Sequence, residues 1–182
     1  MRLDAITLKN FRCFEDVTIN FDQKLTVIVA VNGAGKTTVL DAVRIALWPY
    51  LKSFDLAHSG YNDPANSITI DDVTKAIINE DGWARLLPAE VQAHGDVLGV
   101  YEWMRYREKE TARSKTLDNS TAKKILHKAK DLQTLVRNPE AAPFGLPVLG
   151  YYGTGRLWSN KKEKRKDSQT DIDNSMIRTY GY

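Results

Sequence analysis

Leu25-Thr26-Val27-Ile28-Val29-Ala30, then Val31-Asn32-Gly33-Ala34-Gly35-Lys36-Thr37-Thr38, then Val39-Leu40-Asp41-Ala42-Val43 is the stretch on which the fold turns. Its first part is a short, nearly continuous apolar run rich in β-branched residues, the pattern of a central strand covered on both faces. Its middle is a glycine-rich turn. Its last part opens a helix in which Val39, Val43 and Leu47 recur at spacing four, with Leu40 and Ala46 beside them, so one stripe is apolar. Pro49 ends or kinks that helix. Strand, glycine-rich turn and helix, in that order, is the arrangement of a phosphate-cradling loop.

The chemistry follows from the residue types. A triphosphate is a dense anion, and a glycine-rich turn after a strand points several backbone N–H groups into one concavity. The helix behind it adds the positive end of its dipole. Gly33 and Gly35 supply backbone shapes that a side chain would obstruct, with Asn32 and Ala34 completing the turn. Lys36 is placed to reach the β- and γ-phosphates, Thr37 to ligate Mg²⁺, and Thr38 to bond the α-phosphate. ATP with Mg²⁺ is therefore the expected ligand of residues 30–38. The usual pattern, G-x-x-x-x-G-K-[ST], begins with a glycine, and here that position is Ala30. Alanine is the mildest replacement, because that position closes the strand rather than wrapping the phosphates.

Working outward, Leu3 to Lys9 reads as a strand, and Asp16 to Phe21 alternates polar and apolar with the period of a half-buried strand. Ser67 to Ile70 reads as a short strand, and Asp71 or Asp72 as the cap of a short helix running to Ile78. Glu90 to Glu108 reads as strands of a small antiparallel sheet, with Tyr101, Trp103, Arg105 and Arg107 on one face and Met104 and Tyr106 on the other. Asn119 or Ser120 caps a helix to about Val136 whose stripe is Ala122, Ile125, Leu126, Ala129, Leu132 and Val136. Leu146 to Tyr152 is a further buried-strand candidate. The expected fold class is α/β: the N-terminal lobe of a P-loop NTPase, with a mixed sheet, an antiparallel β subdomain and flanking helices. Residues 1–158 form that lobe, and the polar, basic residues 159–182 read as a tail or linker.

The chain has 182 residues, 42% of them hydrophobic and 27% charged, an ordinary globular profile with room for one domain. No apolar run approaches the roughly 20 residues of a membrane span, and the N-terminus lacks a signal peptide's apolar core. With Cys13 as the only cysteine, no internal disulfide can form, and the cytoplasm is the expected compartment. The net charge of +3 is unevenly spread: −6 from Asp55 to Asp96 and +10 from Trp103 to Lys166. The basic half reads either as a solubilising surface or as a face for an anionic partner. Trp103, Arg105, Tyr106 and Arg107 read either as a structural strand or as a nucleic-acid face. His58, His94 and His127 have no metal-ligand spacing, and Cys13 reads as a buried small residue.

The order Leu8-Lys9-Asn10-Phe11-Arg12, then the strand, then Asn32-Gly33-Ala34-Gly35-Lys36-Thr37-Thr38-Val39-Leu40-Asp41-Ala42 resembles the RecF-like and SMC-like ATPases of the ABC ATPase class. The resemblance implies a nucleotide contact for Arg12, whose other reading is a surface arginine in a strand bend. Leu146-Pro147-Val148-Leu149-Gly150-Tyr151-Tyr152-Gly153-Thr154-Gly155-Arg156-Leu157-Trp158 resembles an element of AAA-type ATPases in bacterial anti-phage defence, most of all the Septu ATPase family (PtuA), which also accompanies some retrons. That resemblance implies an HNH nuclease partner, and in retron forms a reverse transcriptase with its RNA–DNA product (msDNA). It also implies ATP-driven dimerisation, and DNA is a further implied partner. Tyr152 and Arg156 would then lie at a lobe or partner junction, the alternative being a structural Tyr/Arg/Trp cluster.

No Ser-Gly-Gly signature, no apolar strand ending in Asp-Glu and no switch histidine follows Thr38. The chain is therefore expected to be one lobe of a longer ATPase, with little turnover by itself. Three functional expectations result. The first is an ATPase subunit controlling a nuclease in anti-phage defence. The second is a nucleotide-gated scaffold or sensor. The third is a DNA-repair ATPase of the RecF kind.

Overall fold

The computed structural model describes residues 1–60, 63–79, 82–111 and 114–153. Among the described residues, seven strands and two α-helices follow one another: β1 (Arg2–Phe11), β2 (Phe14–Asn20), α1 (Lys36–Leu51), β3 (Lys75–Asn79), β4 (Gly82–Arg85), β5 (Ala89–Val97), β6 (Val100–Arg107), β7 (Leu117–Asp118) and α2 (Ser120–Arg137). Five strands form one antiparallel sheet in the order β2-β1-β5-β6-β7, and β3-β4 is a separate hairpin. The α/β class, with an antiparallel sheet and flanking helices, is as expected.

The sheet has one inner face. Along β5 every second residue is buried, the period-two pattern of a half-covered sheet. Ile6 and Leu8 of β1, Val91 and Ala93 of β5 and Trp103 of β6 are fully buried and form the core with Ile45 of α1 and Ile125 of α2. The β5–β6 turn places Leu98 at φ 56° and Gly99 at φ 71°, the two positive values that a tight hairpin turn matching strand twist demands.

Helix α1 runs through Pro49 and ends at Leu51 rather than stopping at the proline. Proline has no N–H, so it cannot donate to the carbonyl of Ile45 four residues back. Arg105 fills that gap: its Nη1 donates to Ile45 O at 2.9 Å and to Asn66 O at 2.8 Å. Beside it, the Trp103 indole Nε1 donates to Ala46 O at 2.8 Å. The buried face of α1 is Val39, Ala42, Ile45, Ala46, Trp48 and Tyr50; Leu40, expected in the stripe, is exposed, and Val43 and Leu47 are half-buried.

Several local expectations change. Leu25 to Ala30 is not a strand: Leu25, Val27 and Val29 are more than 70% exposed, and no described strand pairs with the run. Its side chains favour a sheet, but a strand exists only through a hydrogen-bonded neighbour. The residues before β3 form a 3₁₀ turn at Ile70–Asp72, and the expected helix to Ile78 is replaced by β3 itself. Ser67 to Ile70 and Leu146 to Tyr152 are irregular. Trp103 is fully buried and Arg105 and Arg107 are each only 3% exposed, so that face of β6 is structural and not an open nucleic-acid face; of the residues expected on it, only Tyr101 is open to solvent. Cys13 is exposed, at the β1–β2 turn, rather than buried. Helix α2 starts as expected, with the Asn119 side chain accepting from Ala122 N at 2.8 Å, but Val136 at its far end is exposed. Among the described residues no helix is long and apolar enough to cross a membrane, and no cluster of His, Cys, Asp or Glu could hold a metal ion.

Candidate functional site

The glycine-rich turn leads into the N-terminus of α1. Ala34 N donates to Val31 O at 3.3 Å, closing a turn, and Val39 N donates to Gly35 O at 3.1 Å, the first helical bond. Gly33 has φ +86° and Gly35 φ +92°, both in the left-handed region where side chains are strained. At Gly35 there is a second reason for glycine: a Cβ there would lie 2.6 Å from Phe14 Cζ and 2.8 Å from Cys13 Sγ. The β1–β2 turn therefore packs directly against the loop.

Gly35 is the N-cap of α1, no side chain caps it, and the first helical turn carries no acidic residue. The free N–H groups and the positive end of the dipole are thus not neutralised locally. Lys36 Nζ donates to Ala30 O at 2.7 Å and Val31 O at 2.8 Å, so the ammonium lies over the loop it would share with a phosphate. Asn32, Gly33, Ala34 and Thr37 are exposed, Gly35 and Lys36 half-buried, and Thr38 is buried at 8% exposure. The uncapped amides, the lysine and the exposed Thr37 hydroxyl make a donor set that fits a nucleotide phosphate with its Mg²⁺.

Arg12 sits at the β1–β2 turn with φ 54°. Its guanidinium bridges two carboxylates, with Nη1 2.5 Å from Asp41 Oδ2 and Nε 2.7 Å from Asp72 Oδ1. Burial alone would lower its pKa, but the hydrogen bonds and charges of Asp41 and Asp72 outweigh burial and raise it. Asp72 is itself pinned, accepting at 2.7 Å from both the N–H and the hydroxyl of Thr69. Asp72 is not the expected N-cap of a helix to Ile78: Thr69 caps the 3₁₀ turn and Asp72 is its reciprocal partner, and the hold of Asp72 on Arg12 is not visible in the sequence.

On its other oxygen, Asp41 accepts a short hydrogen bond from the Tyr151 hydroxyl. Arg44 lies over the Tyr151 ring, 5.3 Å from its centroid. Burial first, and then the Asp41 hydrogen bond, push the Tyr151 phenol up to about 12. The sequence singled out the neighbouring Tyr152, which is 55% exposed. It is Tyr151 that reaches α1. Arg156 and the tail from residue 159 lie outside the described residues. The site residues missed by sequence reasoning are thus Asp41, Asp72, Arg44 and Tyr151. For Asp41 the available signal was its position one turn into α1, on the side of the glycine-rich loop.

A left-handed glycine turn feeding an uncapped helix, with a lysine at the first helical position, has the form of the loop in a P-loop NTPase lobe. A protein-family model described as an AAA domain matches residues 5–178, and the chain belongs to that family. The chain is 34% identical over 123 residues to the endonuclease GajA of Bacillus cereus, a match covering 60% of this chain and 20% of that protein. It is 43% identical over 72 residues to the OLD nuclease of Thermus scotoductus, covering 37% and 13%. It is 44% identical over 54 residues to the replication and repair protein RecF of Leptospira interrogans, covering 30% and 14%. These likenesses support an ATPase of the ABC and SMC-like group. The chain spans a fifth or less of the length of these relatives.

Proposed function

We propose that the chain is the nucleotide-binding lobe of an ATPase that governs a nuclease acting on DNA, in anti-phage defence. The observation that carries the reading is the loop itself: Gly33 and Gly35 in left-handed conformations, and Lys36 Nζ folded over the Ala30 and Val31 carbonyls at the head of an uncapped helix. When ATP binds, the Lys36 ammonium exchanges those carbonyls for the β- and γ-phosphate oxygens, a stronger charge-assisted partner. Asn32 to Thr38 supply amide donors, Thr37 a hydroxyl for Mg²⁺, and Thr38 a contact to the α-phosphate. Arg12 acts beside the loop, oriented by Asp41 and Asp72. Two relatives named as nucleases support the partner class. The finer reading, a Septu or retron ATPase with an HNH nuclease, and in retrons a reverse transcriptase with its RNA–DNA product, rests on the Leu146–Trp158 element alone. Residues 1–158 would then be the lobe and 159–182 a linker, in a cytoplasmic assembly dimerised by ATP. Tyr152 and Arg156 would face the junction.

Two other readings remain in play. The likeness to RecF favours a DNA-repair ATPase. A scaffold in which ATP locks an assembly with little turnover is the other. The test is Lys36→Ala in the intact protein with its partner. Loss of both ATP binding and ATP-dependent control of DNA cleavage is expected. Unchanged ATP binding would refute the site. DNA-stimulated ATP hydrolysis without any associated nuclease would favour the repair reading. Nucleotide control that persists when hydrolysis is blocked would favour the scaffold.

A further inference from the structure

At the end of α1 away from the phosphate loop, a groove of about 670 Å³ opens between α1, α2, the Ser67–Ile70 segment and the loop leading to β7. Helix α1 places Lys36 and Lys52 sixteen residues apart, about 24 Å along the axis, so this groove and the loop are separate places. Five cations line it: Lys52, Arg105, Arg107, Lys115 and Lys130. Among the described residues no acidic one does. One carboxylate, Asp118, reaches these cations from behind, pairing with Arg105 at 2.7 Å and Lys52 at 3.0 Å. Among the described residues, that leaves Arg107, Lys115 and Lys130 as three cations of one cavity with no carboxylate partner, the condition under which low-dielectric walls focus a field on an incoming anion.

Arg107 is as deeply buried as Arg105 but, among the described residues, lacks the carboxylate that Arg105 has. It is 3% exposed, yet no carboxylate of the described residues pairs with it. Nη1 and Nη2 donate to the carbonyls of Ile68, Ser114 and Thr111, and Nε is buried without a hydrogen-bond partner among the described residues. Carbonyl dipoles hold a guanidinium in place but do not cancel its charge, and a buried cation without a counter-ion is costly. An anion in the groove would supply that counter-ion. Lys115 and Lys130 are exposed at the rim, and neither forms an ion pair with a described residue. The Ser67 and Ser114 hydroxyls in the lining are likewise not engaged by any described residue. Thr69 and Thr116 complete the polar lining, and Trp48, Ile68, Ile70 and Leu126 form the apolar part of the wall.

We propose that this groove is a second ligand site that takes a phosphorylated small molecule of nucleotide size, its phosphate drawn to Arg107, Lys115 and Lys130 and its ring lying on the apolar wall. The volume lies in the usual small-molecule range of about 300–1,000 Å³. A terminal phosphate can reach toward a deep guanidinium; the phosphodiester backbone of a duplex, held on a wide rigid cylinder, cannot follow it inward. The site is separate from the phosphate loop, and two routes join them: α1 itself, and Thr69, which lines the groove and holds Asp72 against Arg12.

The test uses the intact protein carrying Lys36→Ala, so that the phosphate loop no longer contributes, with AMP as the probe and pyrophosphate as competitor. Saturable AMP binding that pyrophosphate displaces is expected. Adding Lys115→Glu and Lys130→Glu should weaken it at least about tenfold, the loss of two charge-assisted contacts. Both positions are exposed, so the thermal midpoint should hold. Reversing Lys123 and Lys124, exposed residues of α2 outside the groove, should change AMP affinity by less than about twofold, since it alters net charge but not the site. Absence of saturable AMP binding up to about 5 mM would overturn the proposal, since that is weaker than a formed pocket provides. So would equal losses in the two double reversals, or binding of an oligonucleotide that AMP cannot compete.

Discussion

Replacing Gly35 by alanine separates two causes that a glycine-rich loop normally confounds. Gly33 and Gly35 share the same backbone demand, φ +86° and +92°. An alanine in that region costs about 1–2 kcal/mol. At Gly33 nothing lies within 4 Å of the new Cβ, so strain is the whole cost. At Gly35 the Cβ arrives 2.6 Å from Phe14 Cζ, 2.8 Å from Cys13 Sγ and 2.9 Å from Phe14 Cε2, well inside contact distance. Cys13 is exposed and can swing away, but the Phe14 ring packs against the core and must leave it to give room. Overpacking of that kind adds about 1–3 kcal/mol. Gly33→Ala should therefore cost about 1–2 kcal/mol and Gly35→Ala about 2–5 kcal/mol, the larger figure being a serious fraction of a domain's total stability of about 5–15 kcal/mol. Urea unfolding of the ligand-free protein reads both values directly. Gly35→Ala combined with Phe14→Leu should recover part of the difference, because the shorter side chain vacates the contact. Equal destabilisation by the two glycine substitutions would refute the packing argument, and with it the claim that the β1–β2 turn braces the loop.

Three further outcomes follow from the ion pairs. Arg105→Leu leaves Asp118 half of its partners, strands the Ile45 and Asn66 carbonyls, and should destabilise by about 3–5 kcal/mol in thermal or denaturant unfolding; Arg105→Lys should rescue little, because an ammonium cannot span the same three acceptors. Burial alone would raise the pKa of Asp118, but Arg105 and Lys52 outweigh it and hold the carboxyl below its ordinary range. Its stabilising contribution is thus fully present above the unfolded value of about 3.9 and is lost as pH falls through the folded value, so Asp118→Asn should flatten the acid limb of a stability-versus-pH curve. Tyr151 has the opposite sign: its pKa is raised to about 12, so its contribution is fully present below the unfolded value of 10.0 and lost between there and about 12. Ultraviolet titration of the phenolate should lose a late-ionising component in Tyr151→Phe.

The glycine-rich turn and the helix behind it were legible because their requirements are local. Gly33, Gly35 and Lys36 must occur at fixed spacing before a helix, and the helix announces itself through Val39 and the residues that follow. The strands at Arg2–Phe11 and Ala89–Arg107 were legible for a similar reason, since one face of each is buried and the alternation survives in the sequence. Leu25 to Ala30 failed as a strand because side-chain preference is written in the segment itself while its hydrogen-bond partner is not. The brace around Arg12 was invisible for the same reason: Asp41 and Asp72 lie 29 and 60 residues away, and only the fold brings them to one guanidinium.

Arg105 and Arg107 show where a joint reading would have gone further than a local one. Alternated with Trp103 and Tyr106, two arginines on a strand suggest a wet, nucleic-acid-binding face as readily as a structural one. Yet Trp103 on the same side as both arginines is too large an apolar surface to leave in water, so the face it shares should be inner. An inner arginine needs carbonyls or carboxylates, and Pro49 provides a carbonyl: the proline cannot donate to Ile45 O, and a helix that continues past it leaves that oxygen waiting. Arg105 takes it and pairs with Asp118, whereas among the described residues Arg107 finds only carbonyls. The two residues look alike in sequence and are equally buried, but one is neutralised and the other is not. That difference is what separates a structural arginine from one that still has a charge to offer a ligand.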